Sequence, residues 1–383
     1  MMDAEPEGLS GKLRQLDKES NLENVYERST NKKRVFIVVS IILMAILFVV
    51  SLCFGSVEMP IDETIKILLH AIYPGFEGSD NATHTTIVLK SYLPKTTIVV
   101  ITGMSLGVAG AVMQGILRNP LVSPFTLGVS SAASFGAVVA IVIWPTLFGT
   151  MSVIYIFGNI FYLQNILVVI LAFVFGVGSI LFVLLLAKRT SVSKSTVILA
   201  GVIISYLFQA GVAFGKYISD DEALREVTNW LLGSVNGVTI STVIIIFPLF
   251  LICFLAIEYL APKINLMAAG DDVAKSLGLN VKKTRNIGLL LATIITCICI
   301  AFTGVIGFIG LMAPHITRMI IGNDSRYLFP ASAIVGAITL LISYILSTTT
   351  MRPSVLPLGI YMYVFGGIFF IWLIARKKKE VSL

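Results

Sequence analysis

Long apolar runs alternate with short polar breaks along almost all of this 383-residue chain. A hydrocarbon core about 30 Å thick takes roughly 20 helical residues to cross. At that length the pattern predicts ten spanning helices, near 35–54, 95–116, 127–148, 164–187, 195–216, 238–260, 286–302, 305–322, 328–348 and 358–375. The seventh and eighth are the least separated, because Phe302 to Gly310 joins them without a polar break. The first run is too long for a signal-peptide core and no small-residue cleavage site follows it, so it reads as a true span. After it, Val57 to Leu93 is longer than a simple connector. Within Pro60–Tyr73, residues Ile61, Ile65, Leu68, Leu69 and Ile72 share one stripe, the pattern of an amphipathic helix lying on the outer face. Asn81-Ala82-Thr83 fits a glycosylation sequon in the same segment.

One compact polar insert, Ala261 to Arg285, separates the sixth and seventh runs. Asp271 can cap a short helix there whose apolar side is Val273, Ala274 and Leu277, and Gly278 can end it in the left-handed conformation. Two turns of helix are not stable alone in water, so the insert must rest against something. It is either an ordinary interhelical loop or a knob that a soluble partner pushes or reads.

Composition agrees with a lipid solvent: 56% of residues are hydrophobic and 13% charged, too few charges to cover a soluble domain of this size. Cys53, Cys253, Cys297 and Cys299 all fall in apolar runs and read as packing residues. With the amino terminus cytoplasmic and all ten spans crossing, 22 of the 28 basic residues fall inside and 6 outside. That division obeys the positive-inside bias and places both termini in the cytoplasm. The net charge of +7 then reflects topology and contact with anionic lipid, with no nucleic-acid partner. The tail, residues 1–34, mixes both signs with little apolar content and reads as a flexible cytoplasmic segment; residues 35–376 form one membrane domain and 377–383 a short basic tail.

Of the 21 acidic residues only Glu258 falls within a span, at the cytoplasmic edge of the sixth. Ion-coupled carriers bury an ionisable group near the midplane, and an intramembrane hydrolase needs a nucleophile and base or a metal cluster. Both are disfavoured; a membrane scaffold for a cytoplasmic complex is a further alternative. His70, His84 and His315 are too scattered for a metal site, and His315 reads as a packing residue. The spans are instead rich in small residues, such as Gly103, Gly107, Gly110 and Gly115 in the second, which let helix backbones approach closely. Such faces serve either packing or sliding. Asn119-Pro120-Leu121-Val122-Ser123-Pro124 reads as a re-entrant or tightly turned cytoplasmic link.

Several stretches occur together in a telling order: Tyr92-Leu-Pro-Lys95, Gly107-Val-Ala-Gly-Ala-Val-Met-Gln-Gly115, Arg118-Asn-Pro-Leu-Val-Ser-Pro124, Leu127-Gly-Val-Ser-Ser131 and Trp230-Leu-Leu-Gly-Ser234. Gly270-Asp-Asp-Val-Ala-Lys-Ser-Leu-Gly278, Gly304-Val-Ile-Gly-Phe-Ile-Gly-Leu-Met-Ala-Pro-His315 and Leu356-Pro-Leu-Gly359 follow. Across about 35–380 the chain resembles the FecCD-type permeases, the membrane subunits of importers for iron-siderophores, haem and corrinoids.

The resemblance implies an all-α, BtuC-like type II ABC importer permease fold in the cytoplasmic (inner) membrane. It implies a homodimer with the solute path between the copies, two ABC ATPase subunits below and an extracytoplasmic solute-binding protein outside. The chain itself would bind no cofactor and make or break no bond; ATP and Mg would be used by the partner ATPase. Gly270, Asp271, Ala274, Leu277 and Gly278 would form the coupling helix. Lys90, Tyr92, Lys95 and Arg352 would dock the binding protein. Ser195, Ser205, Gln209 and Gly211, with the tenth span and the turn 188–195, would line or gate the path. The family often carries Arg-Leu-Pro-Arg where this chain has Tyr92 and Lys95, which costs one positive charge and the bidentate fork of arginine. Iron-siderophore is the expected cargo, ahead of corrinoid such as cobalamin and of haem.

Overall fold

The computed structural model describes all residues except 1–6, 56, 77, 80, 149–152, 157–158, 190–193 and 382–383. Helices dominate, in the order α1 (Glu7–Cys53), α2 (Ile61–Ile72), α3 (Ala82–Ile87), α4 (Leu93–Leu117), α5 (Val129–Val138) and α6 (Trp144–Phe148). There follow α7 (Leu163–Arg189), α8 (Lys194–Ile218), α9 (Asp221–Leu231), α10 (Ile240–Ala268), α11 (Asp271–Ser276) and α12 (Val281–Thr303). The last are α13 (Ile309–Ile321), α14 (Ser325–Thr349) and α15 (Leu358–Val381). The helix α1 continues back through most of the segment read as a flexible tail. Single π-helical turns, Val88–Tyr92 and Val139–Ile143, join α3 to α4 and α5 to α6. An antiparallel pair, β1 (Val153–Ile156) and β2 (Asn159–Tyr162) with Val153 opposite Tyr162, precedes α7.

Among the described residues nine helical stretches are long and apolar enough to cross a bilayer. They correspond to nine of the ten expected spans. The remaining candidate, the eighth, expected over 305–322, is a helix of only 13 residues. Gly304 (φ 68°) and Phe308 (φ 65°) both take left-handed backbone, and the residues between them are not helical. A Cβ at Gly304 would sit 2.1 Å from the Trp230 carbonyl oxygen, so only glycine fits that turn.

Burial sorts the helices into a centre and a rim. The stretch containing α4 is 83% buried over its most apolar window and that of α14 is 72%, against 17% for α1 and 22% for α10 and α15. The helix α4 packs against α14, α12, α13 and α10. Its glycines are why: an added Cβ on Gly107 would lie 2.2 Å from the Ser332 carbonyl oxygen, and on Gly110 1.8 Å from that of Gly310. The small-residue face is thus a packing seam in this structure, where backbones touch directly.

Polar bonds gather the loops at two ends. Asn265 donates to Asp324 (2.7 Å) and accepts from the Ser325 N–H (2.8 Å), and the Lys33 ammonium lies 5.2 Å from the centre of the Tyr327 ring. All these residues were assigned inward by charge. At the other end Thr348 donates to the Phe54 carbonyl (2.9 Å) and Arg352 pairs with Glu58, all assigned outward. On α2 the expected stripe is mostly open, Ile61, Ile65, Leu69 and Ile72 being exposed, but Leu68 turns in and packs on the protein with Thr64 and Ile67. Asn81 caps α3, accepting from the Thr83 and His84 N–H groups. At the inner edge of α10, Lys263 lies over the Tyr259 ring at 4.5 Å, an aromatic–cation anchor typical of the interface. Glu258, read from sequence at the edge of its span, lies ten residues before the end of the 29-residue α10 and is partly buried there.

Candidate functional site

The polar insert is built around one carboxylate. Asp271 was expected to cap its helix, but Gly270 occupies the N-cap and makes no side-chain cap bond. Asp271 begins α11 and turns toward its own chain. Its Oδ1 accepts from the Arg118 guanidinium at 3.0 Å and its Oδ2 from that of Arg285 at 2.5 Å. Arg118 ends α4 in left-handed backbone (φ 52°), and Arg285 lies one turn into α12 with a side chain only 10% exposed. The buried Arg285 guanidinium needs a charged partner to offset its desolvation, and with the exposed Arg118 on the other oxygen the two ion pairs outcompete a local cap. Asp271 thus clips α11 to the ends of α4 and α12, and is not the outward contact the family resemblance implied.

Two further features fix the six-residue helix. Ala274 is fully buried in the main core. At its end Gly278 (φ 82°) donates to the Lys275 carbonyl (2.9 Å) and Leu279 to that of Ala274 (3.0 Å), the paired bonds of a Schellman motif. Gly278 thus does what the sequence predicted. The apolar side, however, is split: Ala274 faces in, while Val273 (49% exposed) and Leu277 (64%) face out. Val273 joins Leu277 as an exposed apolar contact, although it was not among the coupling residues singled out. The Lys275–Asp272 pair is a surface ion pair of little weight.

At the opposite end the docking residues separate. Tyr92 is buried against Leu52, Met59, Ile67 and Val88. Its hydroxyl accepts from the Val57 N–H (2.9 Å) and donates to the Val57 carbonyl (3.0 Å). A phenol with its ring in apolar contact and its hydroxyl satisfied is a tether for the outer loop, so its assignment to docking is withdrawn. Lys95 is half-buried and donates to Ser91 Oγ at 3.1 Å. Arg352 is engaged by Glu58. Lys90 is exposed. Beside them Glu63 accepts from Ser79 (2.5 Å) and bonds His84 Nδ1 (2.7 Å), which together hold its carboxyl below the usual range.

The residues expected to line a path lie along α8 but do not converge. Ser195 is exposed at the start of α8. Ser205 is buried and satisfied by the Gly201 carbonyl (2.8 Å). Gln209 is exposed and donates to Ser131 Oγ at 3.4 Å. Gly211 packs against the Phe135 ring, which a Cβ would meet at 2.5 Å. Residues 190–193 of the turn 188–195 lie outside the described residues. What α8 does present is an open stripe that residue-by-residue reading missed: Leu199, Ile203, Tyr206, Phe214 and Tyr217 are all exposed. Their spacing of four, three, eight and three residues was the available signal.

Three of the sequence motifs meet at the outer-assigned end. Ser234 donates to the Thr303 carbonyl (2.8 Å), Val305 to that of Trp230 (3.3 Å), and Leu358 to that of Gly233 (3.0 Å). They border a cavity of about 380 Å³ lined in part by Glu226, Asn229, Ser234 and Asn236. His315 packs edge-on against Phe369, and all four cysteines are buried and free.

Among the described residues, nine long apolar helices around a glycine-packed centre define a multi-pass membrane protein. Residues 43–376 match the family model of the FecCD transport family. The chain belongs to that family and is a transport subunit of the ABC permease type. It is 36% identical to an ABC transporter permease protein of Methanocaldococcus jannaschii over 93% of this chain and 98% of the relative. It is 35% identical to the hemin transport system permease protein of Yersinia pestis, over 77% of this chain and 85% of that one. The Fe(3+)-citrate import system permease protein of Bacillus subtilis is 31% identical over 92% of this chain and 100% of its own length. Among solved structures, an inward-facing conformation of a transporter classed as the metal-chelate ABC type superposes with a TM-score of 0.75. That match is 26% identical and covers 89% of this chain and 98% of that one.

Proposed function

We propose that this chain is the membrane-spanning subunit of an ATP-driven importer for a metal chelate, an iron chelate of the siderophore or citrate kind before haem. The observation that carries the reading is α11: a helix too short to stand alone, clipped to two buried helices by Asp271, with Leu277 and Val273 left open. An exposed apolar knob on a rigid seat is what a soluble partner needs in order to push a membrane domain. In this reading two ATPase subunits seat α11 of each copy of a homodimer, and their closure around ATP shifts the bundle between outward and inward access. The relatives support the cargo class, since those named for a substrate carry hemin, ferric citrate and ferric hydroxamate.

The charge division supports a cytoplasmic position for α11 and both termini. Lys90, Lys95 and Arg352 are then the outer charges available to an extracytoplasmic binding protein, Arg352 after release from Glu58. The exposed stripe on α8 supports a dimer face or path wall, apolar enough to pass a bulky chelate without holding it. Uptake of labelled ferric chelate by cells carrying the transporter with a hydrolysis-dead ATPase tests the reading. Uptake should fall to the level of cells without the transporter; undiminished uptake would overturn ATP coupling.

A further inference from the structure

The helix α2 lies outside the spans, yet one side of it is apolar and uncovered. At about 100° per residue, its side chains fall into three sectors of roughly equal width. The first holds Thr64, Ile67 and Leu68, which pack on the protein. The second holds Asp62, Glu63, Lys66 and His70. There Glu63 accepts from Ser79 and bonds His84, and His70 Nδ1 donates to the Phe76 carbonyl at 2.8 Å. The third holds Ile61, Ile65, Leu69 and Ile72, with exposures from 41% to 82%. Tyr73 and Phe76 follow it, both exposed, with their rings edge to face 5.6 Å apart.

Depth decides what meets the third sector. Ile67 shares its buried cluster with Leu52, Val88 and Tyr92. Leu52 is the last residue but one of α1, and Val88–Tyr92 is the turn that leads into α4. The helix α2 therefore sits level with the ends of two spanning helices, where hydrocarbon gives way to headgroups. A helix at that level has three neighbours: the protein beside it, water, and the acyl chains just below the headgroups. The three sectors match them in turn. Tyr73, at the end of the apolar sector, has the amphipathic ring that favours this boundary.

We propose that α2 is seated in the leaflet on the side that the charge division makes outer, with Ile61, Ile65, Leu69 and Ile72 among the acyl chains. Lys66 and His70 then face water. Seating α2 in lipid also anchors what is tied behind it. Val57 is bonded to Tyr92, Phe54 to Thr348 and Glu58 to Arg352. The outer ends of α1, α4 and α14 are thus held to the membrane surface through one short segment.

The test uses the whole transporter in nanodiscs and one fluorescent label per chain, attached through Ile72→Cys or Lys66→Cys. The four native cysteines are buried, and Ile72 is 82% exposed, so its replacement leaves the core untouched. Phospholipid with a nitroxide just below the headgroup should quench the Ile72→Cys label severalfold more than the Lys66→Cys label. It should also quench it more than a nitroxide at the chain end does, since an interfacial helix enters only about 5–10 Å. Ile65→Cys should repeat the Ile72→Cys result. Equal quenching on the two sectors, or none on either, would overturn the proposal. Shielding of the Ile72→Cys label only when the binding protein is added would give the face to that partner, and label–label quenching between copies would give it to a second copy. Either outcome removes lipid as the occupant.

Discussion

Replacing Gly110 by alanine adds one methyl group where two backbones touch. The new Cβ would lie 1.8 Å from the Gly310 carbonyl oxygen and 2.6 Å from its carbon. Carbon–oxygen contacts close to no nearer than about 3.3 Å, so α13 must retreat from α4 by roughly 1.5 Å. That retreat strains the Gln114 Nε2–H bond to the same carbonyl, now 3.3 Å, and disturbs the non-helical segment before α13. Overpacking of this kind costs about 1–3 kcal/mol. Alanine returns about 0.5–1 kcal/mol as a better helix former, leaving a net loss of about 1–2 kcal/mol. Gly178→Ala in α7 is the control, because nothing lies within 4 Å of its added Cβ; it should be neutral or slightly stabilising. Unfolding of the purified protein, followed by denaturing-detergent titration at fixed lipid content, reads the difference. Equal stability of the two variants would refute the claim that glycines set the spacing of the central helices.

Gly278→Ala should cost about 1 kcal/mol locally, because the residue must keep φ 82°; transport per ATP hydrolysed should fall while global stability barely moves. Tyr92→Phe removes both bonds to Val57 and should cost about 1–2 kcal/mol. Proteolysis of the outer loop should quicken while affinity for the binding protein holds. Lys95→Glu combined with Arg352→Glu should instead weaken binding-protein capture, and unchanged affinity would remove those residues from docking. The Asp324 carboxyl is pushed down to about 2 by its bonds from Arg326 and then Asn265. Its folded-state value is depressed, so its stabilising contribution is present above about pH 4 and is lost as pH falls through 2. Asp324→Asn should flatten that part of an acid-stability curve.

Spans were legible wherever composition alone decides, which is why nine long helices fall where the apolar runs predict them. The eighth run failed for a reason hydropathy does not encode. Val305 to Gly307 are as apolar as a helix, but the tight approach of Gly304 to Trp230 and the left-handed Phe308 hold them out of one. Three glycines in seven residues, Gly304, Gly307 and Gly310, were the hint. The coupling helix was legible in outline, because Gly278 and the polar insert are local signals. The role of Asp271 was not, since its partner Arg118 lies 153 positions away and a local cap was the nearest alternative. Tyr92 was misplaced likewise: a motif position was visible, but its contact with Val57 comes from a fold that brings back the end of α1.

ATP-driven import is tested most directly in proteoliposomes holding this chain, its ATPase and its binding protein. Labelled ferric siderophore, hemin and cobalamin would be offered in parallel, with ATP sealed inside or omitted. Accumulation of an iron chelate only with internal ATP is the predicted result. Accumulation at the same rate without ATP would contradict it and make the chain an ion-coupled carrier.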